Sequence, residues 1–293
     1  MSSDVSESHD TTARLLITCP DKPGIVAAVS TFFFNHGANI TALDQYSTDP
    51  EGGTFFTRLE FQTPHLNIGK PVLMKAFSET VAKRYDMDWR ITYAADVKKV
   101  VLLVPKHDHA LLELLWRWSR GELAADISMV ISNHEDLRES VEGFGLPFHH
   151  VPVAKDDKPA AEQQILALIE DQADLVVLAR YMKVLSEPFV SRFENQIINI
   201  HHSFLPAFVG ADPYQQAYDK GVKIIGATSH YVTSELDMGP IIDQSILRVS
   251  HRDTVKTLRE KGKDIERNVL ARAVRCHLED RIIVHGNKTV VFD

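Results

Sequence analysis

Short, predominantly apolar runs recur through the second part of this chain, at residues 100–104, 127–132, 175–178 and 197–200. Each is too brief for a buried helix and too continuously apolar for a strand with one wet face. Strands covered on both faces of a parallel sheet read this way. Segments of helical length separate consecutive runs, as parallel crossovers require. The pattern predicts an α/β doubly wound, mostly parallel sheet, whose ligand lies beyond the carboxyl ends of the strands. Ser132-Asn133-His134, Ala179-Arg180-Tyr181-Met182 and His201-His202-Ser203 each follow a run directly, so all three converge on that rim. Farther on come a strand-rich piece at residues 241–249, a long helix at 254–278 and a last strand at 281–284.

The first part of the chain has a different rhythm. Residues 14–19 form a short strand-like run, stopped by Pro20-Asp21-Lys22-Pro23-Gly24. Residues 25–35 carry Ile25, Val26, Val29, Phe32 and Phe33 at helical spacing, and His36-Gly37 closes them as a helix end. Strands follow at 39–46 and 54–61, joined by a turn at 49–53, then a helical segment at 68–85 and a strand at 88–93. The order βαββαβ predicts an α+β, ferredoxin-like domain with an antiparallel sheet. The expected division is a disordered lead at 1–12, a first domain at 13–94, a linker at 95–98 and a second domain at 99–293.

Bulk properties exclude several classes of function. A net charge of -8 supplies no cationic footprint for a nucleic acid. No stretch approaches the roughly 20 apolar residues that cross a membrane, and the polar, acidic N-terminus is unlike a targeting peptide. The only two cysteines, Cys19 and Cys276, make no disulfide framework, which fits a reducing cytoplasm. Among the 14 histidines there is no His-Glu-x-x-His and no Cys/His cluster, so no metal is expected.

The chemistry concentrates in Asn199-Ile200-His201 and in Leu236-Asp237-Met238-Gly239-Pro240. Two apart on a strand, Asn199 and His201 project from one face, and a turn can aim the Asp237 carboxylate at a cleft. An amide donor, an imidazole and an acid are the parts needed for acyl chemistry. Alone, an Asp in such a turn is more often a turn former. His202 and His230 read as hydrogen-bonded neighbours, and Met182 as pocket wall.

Residues 98–285 resemble the formyltransferase family of folate enzymes, on Asn199-Ile-His201 with Ser203-Phe-Leu-Pro206 and on His230-x-Val-x-x-x-x-Asp237-x-Gly239-x-Ile241. Gly121-Glu-Leu, Ser132-Asn-His134 and Gly226-Ala-Thr228 add to the likeness. The resemblance implies a catalytic trio of Asn199, His201 and Asp237. It also implies a folate site on Arg180, Tyr181, Met182, Lys183, Leu185, Val232 and Thr233. The first part resembles an ACT domain on Asp21-Lys-Pro-Gly24, Gly37-Ala-Asn-Ile40 and Phe55-Phe56. That implies a small amino-acid effector near Asp21, Pro23, Gly24 and Asn39, and a homodimer or homotetramer.

Members that formylate glycinamide ribonucleotide hold its phosphate on a Gly-Ser-Asn loop, where this chain has Pro105-Lys106-His107-Asp108. Proline lacks an N–H donor and Asp108 repels a phosphate. The combination implies hydrolysis of 10-formyltetrahydrofolate to formate and tetrahydrofolate, with water as acceptor, no cofactor, and formate feeding purine synthesis. Pro105 and Ala110 stand where Ser and Cys would be expected of such hydrolases. Transfer to a small amine and a noncatalytic folate or amino-acid sensor are the rival readings.

Overall fold

The computed structural model describes residues 11–49, 51–153, 158–207 and 212–293. They fall into two compact units, one reaching Val97 and resuming at Glu279–His285 and Val290–Asp293, the other comprising Lys98–Leu278 with Gly286–Thr289. The junction thus falls at the end of the expected linker, but the chain's last residues return to the first unit. Of the expected lead, residues 1–10 lie outside the described residues, as does Pro50 of the expected turn, and Thr12 already opens a strand.

The first unit runs β1 (Thr12–Pro20), α1 (Ile25–Asn35), β2 (Asn39–Ser47), β3 (Thr54–Gln62), α2 (Lys70–Phe77) and β4 (Asp88–Tyr93). A π-helical turn, Ser78–Ala82, and a last helical turn, Lys83–Tyr85, prolong α2. The antiparallel sheet has the order β2-β3-β1-β4. Leu15, Ile17, Leu59 and Phe61 pack on Phe33 and Phe77 of the helices. The opposite face is also covered: Leu16 and Phe56 pack with Ile283 and Phe292 from the chain's end. Arg14, Arg58, Glu60 and Thr92 gather beside them around Asp280. The end itself forms β12 (Ile282–His285) and β13 (Lys288–Val291).

The second unit contains β5 (Lys98–Val104), α3 (His109–Ser119), β6 (Ala125–Ser132), α4 (Arg138–Glu142), β7 (Phe148–His150), α5 (Lys158–Ile169) and β8 (Leu175–Leu178). It continues with α6 (Glu187–Val190), β9 (Ile197–His201), α7 (Pro213–Lys220), β10 (Ile224–Tyr231), β11 (Ile241–Arg248) and α8 (Val255–Leu278). The sheet order is β11-β10-β9-β8-β5-β6-β7. From β9 to β7 the pairs are parallel, as the apolar runs predict, and β10 and β11 close that edge antiparallel. The sequence reading omits β7, α7, β10 and β13. Strand β10 escapes it because Gly226, Thr228, Ser229 and His230 break any apolar run, although Thr228, Ser229 and His230 are buried.

Candidate active site

Strand β9 alternates as expected, with Asn199 and His201 on one side. Its antiparallel partner β10 sets His230 directly across from Asn199, and a shift in the β10–β11 register at Ser229/His230 re-aims the strand there. Beyond β10 the chain turns back through residues carrying Asp237, whose backbone is left-handed (φ 56°). Gly239 makes this turn possible: a Cβ there would sit 1.8 Å from the Tyr231 carbonyl oxygen. Tyr231 N–H donates to the Pro240 carbonyl at 2.9 Å, tying the turn to the strand end.

The trio expected from the sequence therefore comes together, with His230 added. His201 Nδ1 lies 3.3 Å from Asp237 Oδ2, with both side chains largely buried. The other ring nitrogen of His201, Nε2, is buried without a hydrogen-bond partner among the described residues. His230 Nδ1 is 2.8 Å from the Tyr231 carbonyl, a contact that only a protonated Nδ1 can make, since both otherwise accept. In that tautomer His230 Nε2 is an acceptor for the Asn199 amide N–H at 3.2 Å. The Asp237 Oδ1 atom, at 3.7 Å, is within electrostatic reach of His230 but beyond hydrogen-bonding distance. The His201 ring holds the Asp237 carboxyl well below the usual carboxylate range, against the opposing effect of burial.

Supporting contacts fix the loop after β9. Thr228 Oγ1 donates to the Ser203 carbonyl at 2.9 Å and accepts from Leu205 N–H at 3.0 Å. Gln244 Nε2 reaches both Thr228 Oγ1 and the Leu205 carbonyl.

The expected folate residues divide. Tyr181 and Leu185 are buried in the hydrophobic core, and Val232 packs against it. Met182 and Lys183 are exposed, and Thr233 donates its hydroxyl to the Glu235 carbonyl. Arg180, also left-handed (φ 63°), pairs with Glu266 of α8. Sequence reasoning missed Glu266, yet a signal was there, because it falls on the apolar stripe of α8 with Leu258, Gly262, Ile265, Val269 and Leu270. A charge on a buried stripe requires a partner.

In the first unit, Asp21 and Gly24 line a cavity of about 420 Å³ with Lys22, Gln45, Tyr46 and Ser47, whereas Pro23 and Asn39 are not among its lining residues. Gly24 is left-handed (φ 92°) at the start of α1, and Asp21 accepts from Ser47 Oγ at 2.5 Å. Among the described residues, no group of three or more His, Cys, Asp or Glu is placed to hold a metal, and no helix is long and apolar enough to cross a membrane.

Two family models match the chain: "Formyl transferase" over residues 98–274 and "ACT domain" over residues 13–69. A formyltetrahydrofolate deformylase of Bacillus subtilis is 54% identical, over 98% of this chain and 96% of that protein. The crystal structure of a formyltetrahydrofolate deformylase from Pseudomonas syringae superposes with a TM-score of 0.94 at 49% identity, covering 99% of this chain and 97% of that one. A phosphoribosylglycinamide formyltransferase from Anaplasma phagocytophilum gives 0.62 at 32% identity, covering 68% of this chain and 96% of its own. Near-complete coverage by both domains at such identity places this chain in the formyltetrahydrofolate deformylase family.

Proposed function

We propose that this chain hydrolyses 10-formyltetrahydrofolate to formate and tetrahydrofolate, with Asn199, His201 and Asp237 as the reacting groups. The arrangement of His201 carries the reading: its Nδ1 faces the Asp237 carboxylate at 3.3 Å while its buried Nε2 has no partner among the described residues. An imidazole so anchored presents one nitrogen to a substrate and has a charge behind it to stabilise the imidazolium.

Water, oriented by Asp237, adds to the formyl carbon, so a C–O bond forms and the carbonyl oxygen becomes an oxyanion. One Asn199 amide proton is occupied by His230, and the other is left to donate to that oxyanion beside His201 Nε2–H. The proton leaving the water passes to the Asp237–His201 pair and on to N10. A carboxylate held below its usual range is a weak base, which suits a relay that must release its proton. The C–N10 bond then breaks, leaving formate and tetrahydrofolate. The folate is substrate, and the reaction written this way draws on no other cofactor.

Asp237→Asn tests the reading by formate release without any amine. Turnover should fall by about 10²–10³ or more, the loss typical of a removed charge-stabilising group, while folate binding changes far less. Wild-type turnover in the variant would reject the role of Asp237, and strict amine dependence of the wild type would reject water as acceptor.

The same proposal extends to the first unit. A small amino acid is the effector that suits its cavity, with the carboxylate received at the start of α1 and the ammonium near Asp21. Assembly as a homodimer or homotetramer belongs to it as well, since antiparallel sheets such as this one leave an edge strand, β2, open to pairing.

A further inference from the structure

The loop that leaves β8 follows a path its own sequence does not favour. Leu178, the last residue of β8, pairs with Asn199 of β9, so the loop departs directly beside the reacting groups. Arg180 (φ 63°) and Met182 (φ 57°) are both left-handed without being glycine. Side chains keep that conformation only where the surroundings over-determine it. Tyr181 and Leu185 are buried, whereas Met182, Lys183 and Val184 form an exposed tip. Two apolar side chains held out at the strand end next to Asn199 give a flat substrate ring a wall to lie against while its formyl carbon faces His201.

The tip is fixed from several sides. Ahead of it, Ala179 N–H donates to the Leu103 carbonyl of β5 at 3.0 Å. Around it, Tyr181 and Leu185 pack in the core with Phe189 and Val190. Behind it, Ser186 N–H donates to Glu162 Oε1 at 3.0 Å. Glu162 comes from a separate element, α5, and lies on its buried face with Ala161, Ile165 and Ile169. A carboxylate is a costly residue on such a face. Lys158 Nζ, at 3.7 Å from the same oxygen, is beyond hydrogen-bonding distance, so the loop amide is its hydrogen-bond partner among the described residues. The Glu162 charge also reaches Tyr181, adding to burial in pushing the phenol up to about 12. Ser186 itself is extended (φ -75°, ψ 156°) and opens α6. The hydrogen bond thus sits where the loop ends and the helix begins.

We infer that Glu162 is a positioning residue for the folate: by accepting the Ser186 N–H it sets where the tip at 182–184 stands, and so how tightly the substrate is held, while the reacting groups stay in place. This rests on the reading of Asn199, His201 and Asp237 as the centre of folate hydrolysis. A grip made equally on the ground state and on the transition state changes KM and leaves kcat alone.

The test compares full-length Glu162→Leu and Glu162→Gln with wild type. Leucine fills much the same space without an acceptor, and glutamine keeps a carbonyl oxygen for the Ser186 N–H. Formate release gives kcat and KM, and calorimetric titration with tetrahydrofolate gives a Kd that needs no turnover. Glu162→Leu should raise both KM and Kd about tenfold, with kcat within about twofold of wild type. Glu162→Gln should restore most of the loss. Unchanged KM and Kd in Glu162→Leu overturn the inference, as does a fall in kcat alone. Glutamine as damaging as leucine also overturns it, since the hydrogen bond would then not be the cause. Should Glu162→Leu fail to fold, Ser186→Pro removes the donor from the other side, at a φ that proline accepts. That variant should raise KM and Kd alike, and wild-type values in it overturn the inference. A wild type that neither releases formate nor binds tetrahydrofolate rejects the folate reading, and this inference with it.

Discussion

His202 is buried between His201 and Tyr214. Burial, reinforced by the nearby charge of Arg180, pushes its pKa down to about 4. In the unfolded chain the same ring titrates at about 6.5. Between about pH 6.5 and about pH 4 the unfolded state binds a proton that the folded state refuses, so stability falls as the pH drops through that window. The loss reaches on the order of 3 kcal/mol, at about 1.4 kcal/mol for each pH unit crossed. Urea unfolding of wild type and His202→Gln at about pH 7 and about pH 4.5 measures it. The variant should lose markedly less across the interval, and equal losses would remove His202 as the cause. The neighbouring trio was legible in the sequence because its motifs are local and their spacing survives folding. Glu266 was not, because its partners His109, Arg180 and Tyr214 are far from it along the chain, and only tertiary structure brings them to it.

At the level of elements, the strands that sequence reasoning found include those that are apolar along most of their length, such as β5 from Val100 on and β8, or evenly alternating, such as β4. Strand β10 fills its buried positions with hydroxyls and an imidazole that work for the site, and β7 has only three residues, so neither leaves a periodic trace. The hairpin of β12 and β13 is harder still, since its role depends on where it docks. Leu16 and Phe56 on the second face of the first sheet hinted that something covers them. Removal of residues 279–293 would expose that face and strip Asp280 from Arg14 and Arg58, both largely buried. The first unit should lose about 1.5–3 kcal/mol for each of Leu16 and Phe56 returned to water, the usual effect of uncovering a large apolar side chain. Calorimetric scans of the truncated and complete chains would show it as an early transition in the former. Superimposable scans would mean that the tail contributes little.

Across the whole molecule, the regulatory proposal makes a thermodynamic demand. An amino acid that binds the folded first unit, at about a hundred times its Kd, adds about 2.7 kcal/mol to that unit's stability. Melting scans of the full chain against a panel of free amino acids should therefore single out one or a few. If none shifts the transition, the cavity lined by Asp21, Lys22 and Tyr46 is not an effector site. The two domains and their order were readable from the change of rhythm near Lys98, because local periodicity reports sheet type. The chain's final return was not, since nothing in residues 279–293 says which sheet they will join.

That return means that the first unit is discontinuous in sequence, with the second inserted between its halves. A single cut between Val97 and Lys98 cannot free a complete first unit, because part of it remains at the far end of the other fragment. A nicked molecule should behave as a split protein, its pieces held by the docking of Ile283 and Phe292 on Leu16 and Phe56. Any evolutionary or laboratory exchange of this unit for another must therefore replace both of its separated segments together.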